Sequence, residues 1–228
     1  MPIRLAAVLT GRAVPFGRPG AVSAIAKTPA AGPVAIGPLG LAGDEQGDPL
    51  RHGGPDKAVH HYPLDHYAAW ARELPAAAAA LLAAPGAFGE NLSAEGLTEG
   101  DVCFGDVWQA GTARLQVSQT RQPCWKLDIR FGLKGMARRL QASGRTGWYY
   151  RVLEPGSVRA GDALALADRP HPDWPLARIL NLLYVDTLDR PALSALLELP
   201  GLVPSWRKLA AARLESGTVE DWRPRLDG

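Results

Sequence analysis

The stretch DVCFGDVWQAGTARLQVSQ, residues 101–119, decides the fold because two apolar segments lie on either side of a glycine at position 111. The second segment, ARLQVSQ, alternates apolar and polar residues, as a strand with one buried face does. The pattern therefore predicts a β-hairpin with Gly111 in its turn. Gly-Asp pairs at 105–106 and 161–162 each precede apolar residues, which is typical of turns that lead into strands.

Further short strands are predicted on both sides of this hairpin. The segments IRLAAVL (3–9), AVSAIA (21–26) and GPVAI (32–36) are apolar runs bounded by Gly or Pro, and residues 147–167 give two strands around a Pro-Gly turn. Most of these strands do not alternate with helices. This order favours a mainly β fold, a compact barrel or sandwich with inserted helices, over a parallel doubly wound sheet.

Two helical segments are expected to interrupt the strands. Residues 64–84 are rich in alanine, and Pro75 is expected to split them into two helices. Residues 133–144 carry apolar side chains at helical spacing, with Gly144 as the stop signal.

The character of the chain changes near its C-terminus. From Asp173 onward, stripes of leucine predict three short helices, and the Pro-rich segment ADRPHPDWP (167–175) precedes them as a linker would. The chain is thus expected to divide into a β domain over residues 1–170 and a small all-α three-helix domain over residues 171–228.

Composition excludes several classes of protein. The chain has 228 residues, 46% of them hydrophobic and 21% charged, and a net charge of +2, which is too small to indicate binding to nucleic acid or to a membrane surface. Residues 200–228 contain five basic and four acidic residues, so the helical tail, although its turn resembles helix-turn-helix, carries no DNA-binding charge pattern. No apolar run reaches 18 residues, and the first apolar run is short and broken by Arg12 and Pro15, so neither a transmembrane helix nor a secretory signal is expected. We therefore expect a cytoplasmic protein with reduced thiols.

One of the two cysteines lies in a positive neighbourhood. Cys124 stands in SQTRQPCWKL (118–127), and six of the 22 residues from Ser118 to Arg139 are basic. Nearby cations favour a thiolate, so Cys124 is a candidate nucleophile, a candidate metal ligand, or a buried thiol beside an anion-binding surface. Pro123 disfavours a helix and predicts that Cys124 lies in a loop at a strand end. Cys103, within an apolar segment, is expected to be a buried structural thiol.

Histidines and an asparagine supply further candidates. Four of the five histidines lie between His52 and His66, and in the predicted strand the adjacent His60 and His61 point to opposite faces. A zinc site or a Cys-His pair with Cys124 is conceivable, but the spacing does not support zinc. Asn91, in the Gly-rich turn GAFGENLSAEGL, is a candidate to hydrogen-bond a heterocycle or phosphate, or is a turn residue in left-handed conformation.

In this order, several motifs resemble one family, the MOSC domain proteins, and within it the YiiM-like group. The resemblance covers nearly the whole chain, and the ordered set is more specific than any one motif. The matching pieces are SAIAKTP (23–29), GLAGDEQGD (40–48), HGGPDKAVHHYP (52–63), FGENLSAEGLTEGDVCFGD (88–106), LQVSQTRQPCWKL (115–127) and the tail VPSWRKLAAARLESGTVEDW (203–222).

The resemblance implies a β-barrel-like MOSC fold that binds the molybdenum cofactor, a molybdenum–pterin dithiolene complex. It implies reduction of N-hydroxylated compounds, including hydroxylaminopurine base analogues, to amines. Cys124 would be the thiolate ligand of molybdenum, and Arg121 would stabilise that thiolate and meet the cofactor's phosphate. Because no flavin, haem or iron–sulfur motif is visible, a separate redox protein is expected to supply the electrons.

The resemblance also assigns the remaining site residues. Lys27 and Asn91 match positions that line the cofactor cleft, and His52 is expected to line it too. His61, the residue before Tyr62, is expected to be the catalytic proton donor, with Asp56 orienting it. An alternative function is a carrier of cofactor or sulfur, which would bind the cofactor but never reduce a hydroxylamine.

Overall fold

The structure, a computed structural model, describes residues 3–48 and 53–228. His52 therefore lies outside the described residues. Strands dominate the first three quarters of the chain, as the sequence predicts. They are β1 (Leu5–Thr10), β2 (Val14–Pro15), β3 (Val22–Ser23), β4 (Thr28–Pro29), β5 (Val34–Gly37), β6 (Gly40–Leu41), β7 (Val59–His61), β8 (Leu92–Ala94), β9 (Val107–Ala110), β10 (Ala113–Thr120), β11 (Trp148–Glu154), β12 (Gly156–Val158) and β13 (Leu164–Asp168).

The strands form one large sheet and two small ones. The large sheet has the order β13-β9-β10-β11-β7-β8-β1-β4, and its pairs are antiparallel except for β7 with β8. The two small sheets are β12-β5-β6 and the hairpin β2-β3. The N–H of Leu5 donates to the carbonyl of Asp162 and the N–H of Leu164 to that of Ile3, each at 2.9 Å. These bonds bring β1 to β13 at the far edge, so the sheet curls back on itself. The predicted mainly β fold is confirmed.

Local turn signals account for the strands at the centre of this sheet. The hairpin of β9 and β10 turns at Gly111, whose φ of 55° lies in the left-handed region that glycine adopts readily. The predicted strand 21–26 is wrong in extent, since only β3 forms there. Beyond β3, the N–H of Ile25 is bonded to the Ser23 hydroxyl instead of to a strand, which ends the pairing.

Helices fill the gaps between strands. Two 3₁₀ turns, Pro55–Lys57 and Leu64–His66, flank β7, and a third covers Ala80–Ala83. The predicted break at Pro75 and the predicted stop at Gly144 are both confirmed. The helices are α1 (Tyr67–Glu73), α2 (Ala76–Ala79), α3 (Lys126–Phe131) and α4 (Met136–Ser143).

The C-terminal region is helical, as expected. It contains α5 (Leu176–Tyr184), α6 (Arg190–Leu197) and α7 (Pro204–Ser216), followed by the short α8 (Arg223–Leu226). The Pro-rich segment before α5 is fixed in place, because Arg169 is paired with the buried Asp106 at 2.7 Å. The division into residues 1–170 and 171–228 stays a prediction. No helix in the described part of the chain has the length and apolar content needed to cross a bilayer.

Two hydrophobic clusters make up the core. The first cluster joins the sheet to the tail, since Trp108 and Trp148 of the sheet belong to it together with Leu176 and Trp206 of the helices. The second cluster lies on the other side of β7. It contains Tyr62, Tyr67, Trp70, Phe88, Leu127, Phe131, Met136, Leu140 and Leu226, among others.

Candidate functional site

A pocket opens beside the second cluster, between the β2–β3 hairpin, the loop 44–47, β7 and the loop after β10. It encloses about 610 Å³ of space not occupied by protein atoms, counted with the solvent at its mouth. Its charged and reactive side chains are those of Lys27, Asp44, Glu45, Lys57, His60, Arg121, Cys124 and Lys126.

Cys124 lies in the loop between β10 and α3, as predicted, and is 8% exposed where it lines the pocket. Cys103 lies elsewhere. It is buried against the segment before α5, its Sγ 3.6 Å from the carbonyl oxygen of Pro172, and burial raises the pKa of its thiol. The two cysteines are not joined in a disulfide. The expectation that Cys103 is a buried structural thiol is confirmed, and the pocket contains a single thiol, that of Cys124.

The pocket is positively charged. Four cationic side chains line it against two carboxylates. Arg121 is only 6% exposed, and its Nη1 has no hydrogen-bond partner among the described residues. Burial also lowers the pKa of Lys57. The excess of cationic side chains suits an anionic ligand, because charge-assisted hydrogen bonds favour anions.

Lys27 and Asn91 both line the pocket and meet there at Asp44, which the sequence reasoning did not identify. Lys27 forms an ion pair with the Asp44 carboxylate, and burial lowers the pKa of the lysine. Asn91 Nδ2 donates to Asp44 Oδ2 at 2.8 Å, and its Oδ1 accepts from the His60 N–H at 3.0 Å. No non-glycine residue of the described ranges has a positive φ, so the interpretation of Asn91 as a left-handed turn residue is wrong. Asn91 instead links Asp44 to β7.

His60 is the histidine that the structure brings into the pocket. It is 4% exposed, and its Nε2 has no hydrogen-bond partner in residues 3–48 or 53–228. Its ring lies 4.9 Å from that of Tyr149, which also lines the pocket. Burial first, and then the charge of Arg121, hold the pKa of His60 well below 6.5. His60 is therefore neutral near pH 7.

His61 points to the opposite face, into the first core cluster. Its ring stacks on Trp148 with a centroid distance of 4.4 Å, and its Nδ1 lies 3.3 Å from the Tyr150 hydroxyl. Burial lowers the pKa of His61 to about 3. The expectation that His61 faces the site is wrong, because the face of β7 that lines the pocket is the one that carries His60.

Among the residues that the structure describes, the Asp56 carboxylate meets Arg151 rather than His61. Its Oδ1 accepts from Arg151 Nε at 2.9 Å, and its backbone carbonyl accepts from the Ser118 hydroxyl at 2.6 Å. Asp56 therefore fixes the 3₁₀ turn before β7 against β10 and β11, and the role expected from the sequence is corrected. Within the described ranges, no three His, Cys, Asp or Glu side chains come together as a metal site.

Comparisons with known proteins match two regions of the chain. The family profile described as "MOSC domain" matches residues 48–165, and that described as "YiiM-like, 3-alpha helix domain" matches residues 174–217. Protein YiiM of Escherichia coli (strain K12) is 43% identical over 223 residues, which cover 97% of each chain. A protein of Gibberella moniliformis described as a reductase is 35% identical over 195 residues, or 85% of this chain and 34% of that protein.

A solved structure has the same fold along the whole chain. The crystal structure of YiiM from Escherichia coli matches with a TM-score of 0.80 at 36% identity, over 99% of each chain. The crystal structure of YiiM from Geobacillus stearothermophilus matches with a TM-score of 0.78 at 34% identity, over 93% of this chain and 100% of that one.

Proposed function

The chain belongs to the MOSC domain family, in the group that carries a YiiM-like 3-alpha helix domain, and on that premise we propose that it reduces N-hydroxylated compounds to amines with the molybdenum cofactor bound in this pocket. One observation carries the proposal: the Cys124 thiol lines a positively charged pocket together with Arg121, whose Nη1 has no hydrogen-bond partner among the described residues. A relative described as a reductase supports the reaction class.

The residues of the pocket fit such a cofactor. A molybdenum–pterin dithiolene complex brings sulfur ligands of its own and an anionic phosphate, so a protein needs to add few metal ligands and several cations. The pocket offers one soft thiol, that of Cys124, and no cluster of three further metal-binding side chains among the described residues. Arg121, Lys57 and Lys126 would meet the anionic parts, since charge-assisted hydrogen bonds favour phosphate.

When bound, the cofactor supplies the two electrons that, with two protons, convert an N-hydroxyl group to an amine and water. The protein has to hold the substrate and deliver protons. His60 is placed for this, because its Nε2 is buried and unpaired among the described residues. Tyr149 also lines the pocket, and because burial raises the pKa of its hydroxyl, the hydroxyl stays protonated and can donate a hydrogen bond to the substrate rather than a proton.

The charge state of His60 should respond to what the pocket holds. Burial and Arg121 keep the imidazole neutral near pH 7. An anion bound beside these two residues favours the charged form and raises the pKa of His60. His60, rather than His61, is therefore the proposed proton donor. A separate redox protein as electron donor, hydroxylaminopurines as substrates and a cytoplasmic location stay predictions.

The decisive experiment compares the two cysteines. Cys124→Ser, Cys103→Ser and the parent protein are produced in cells able to synthesise the cofactor, and molybdenum is measured per protein molecule. Reduction of a hydroxylaminopurine is then followed with a chemical electron donor. Cys124→Ser should lose turnover while remaining folded, because a hydroxyl is a poor substitute for a soft thiolate. Cys103→Ser should keep turnover at some cost in stability.

Two outcomes would count against the proposal. Equal turnover in folded Cys124→Ser and Cys103→Ser would show that Cys124 has no role in the reaction. Molybdenum bound by the parent protein without any reduction of the N-hydroxyl compound would instead support the carrier function.

A further inference from the structure

We propose that Arg225, three residues from the C-terminus, is a positioning residue that fixes the loop carrying Cys124. The backbone carbonyl of Arg225 accepts from the Trp125 N–H at 3.0 Å, and its Nη1 donates to the Pro123 carbonyl. Both neighbours of Cys124 are thus held by one residue. The importance of Cys124 in this inference rests on the proposed function. The placement of Arg225 against the loop rests on its hydrogen bonds alone.

Arg225 is itself fixed from two sides. Its Nη2 donates to Gln141 Oε1 of α4 at 2.6 Å, and its guanidinium lies 5.8 Å from the ring of Tyr184 at the end of α5. The next residue, Leu226, is 1% exposed and packs in the second core cluster. The guanidinium therefore cannot turn away from the loop without breaking contacts to α4.

The β2–β3 hairpin holds the same loop and the same C-terminal segment. Arg18, in the tip of the hairpin, donates through Nη2 to the Asp227 carbonyl at 2.6 Å. Its guanidinium also lies 4.1 Å above the ring of Trp125. Ser23 of this hairpin lines the pocket. The C-terminal segment thus connects the β2–β3 hairpin to the loop that carries Cys124.

The course of the C-terminal segment is set by the helical region. Arg213 of α7, 2% exposed, pairs with Glu220 at 2.7 Å, and Trp222 Nε1 donates to the same carboxylate at 2.8 Å. Arg225 lies beyond residue 217, where the match to the 3-alpha helix domain ends. Residues 218–228 therefore have a use that neither matched region covers: they fasten the helical region to the thiol loop.

A loop without such contacts would be a poor carrier for a metal-binding thiol. Residues 121–125 belong to no strand or helix, so fixing them costs conformational entropy that other contacts must offset. Ligand side chains need support from neighbouring groups to keep their geometry. Removal of the Arg225 guanidinium should let the loop open and expose Cys124, which is 8% exposed in the closed loop.

The test uses the full-length protein prepared without cofactor, so that it is independent of molybdenum binding and turnover. Alkylation by iodoacetamide is followed by mass spectrometry at Cys124 and Cys103 separately. Arg225→Ala should accelerate alkylation of Cys124 about tenfold, the factor that corresponds to about 1.4 kcal/mol and to the loss of one hydrogen bond to a charged group. Cys103 should react at its original rate and serves as the internal control for global loosening.

Arg223→Ala is the matched control, because Arg223 lies in the same short helix but is exposed, and its ion pair within the described residues is a local one with Asp221. Equal Cys124 rates in the two variants would overturn the proposal, and so would equal acceleration of both cysteines in Arg225→Ala. If Arg225→Ala does not fold, Arg225→Lys takes its place, since one ammonium cannot hold Pro123 and Gln141 together in the same way. A Cys124 rate equal to that of Arg223→Ala would then refute the inference.

Discussion

The position of His61 predicts how the protein responds to acid. Folding moves His61 from water into the first core cluster, and burial lowers its pKa from 6.5 to about 3. Below about pH 6.5, His61 therefore binds a proton in the unfolded chain but stays unprotonated in the folded chain. The contribution of neutral His61 is complete above pH 6.5 and is lost progressively as the pH falls from about 6.5 towards about 3.

The magnitude follows from linkage. One buried histidine that stays neutral lowers the free energy of unfolding by about 1.36 kcal/mol for each pH unit below its unfolded pKa. At pH 5.0 the loss due to His61 is thus about 2 kcal/mol relative to pH 7.5. His60 acts in the same direction, since burial and Arg121 also lower its pKa.

A variant isolates the contribution of His61. His61→Phe keeps an aromatic ring against Trp148 but cannot titrate, and it leaves the Tyr150 hydroxyl without its partner, which costs about 1–3 kcal/mol at every pH. Urea unfolding is measured at pH 7.5 and pH 5.0 for the parent protein and for the variant. The loss of stability between the two pH values should be about 2 kcal/mol smaller in the variant. An equal loss in both proteins would refute the placement of His61 as a buried neutral group.

Two further predictions concern the site and the tail. His60→Ala should lower hydroxylamine reduction by about a hundredfold to ten-thousandfold at matched molybdenum content, which is the range for loss of a general acid. His61→Phe should keep most of the turnover per folded molecule. The reverse result would show that the face of β7 carrying His61 forms the site. Arg213→Met should lower the free energy of unfolding by about 2–4 kcal/mol, because it leaves the Leu182 and Leu183 carbonyls without this donor and takes from Glu220 its ion-pair partner, although the bond from Trp222 Nε1 to Glu220 remains. Arg207→Met is the control, since Arg207 is exposed and its side chain donates, among the described residues, to the Leu197 carbonyl. The stability of both variants is measured from denaturant midpoints. A similar loss of stability in the two variants would contradict the structural role of Arg213.

The parts of the fold that the sequence predicted are those that local signals determine. Gly111 in the hairpin, Pro75 between two helices and Gly144 at the end of α4 each act through their own backbone preference. Helix α3 was not predicted, because six residues are too short to be helical alone in water. It forms through burial of Leu127 and Phe131 in the second cluster, which depends on partners distant in sequence.

The site shows the same limit. The family motifs named Cys124, Lys27, Asn91 and Arg121, and the structure brings all four to one pocket. Asp44 lies in one of those motifs, but the sequence assigned it no role, because its partners Lys27 and Asn91 are 17 and 47 positions away. Arg225 gave no signal at all, since its bond to Pro123 joins residues 102 positions apart.

The histidine pair shows why alternation alone could not choose a face. A strand with one wet face carries polar residues on that face, and the polar side chains then identify it. Both faces of β7 are covered: Val59, on the side of His61, packs in the first cluster, and Tyr62, on the side of His60, packs in the second. All three residues of the strand are buried. One imidazole of the strand therefore lies in a core and the other lines a pocket, although the two faces do not differ in composition. The position of Cys124, which lines the same pocket as His60, is what distinguishes His60 from His61.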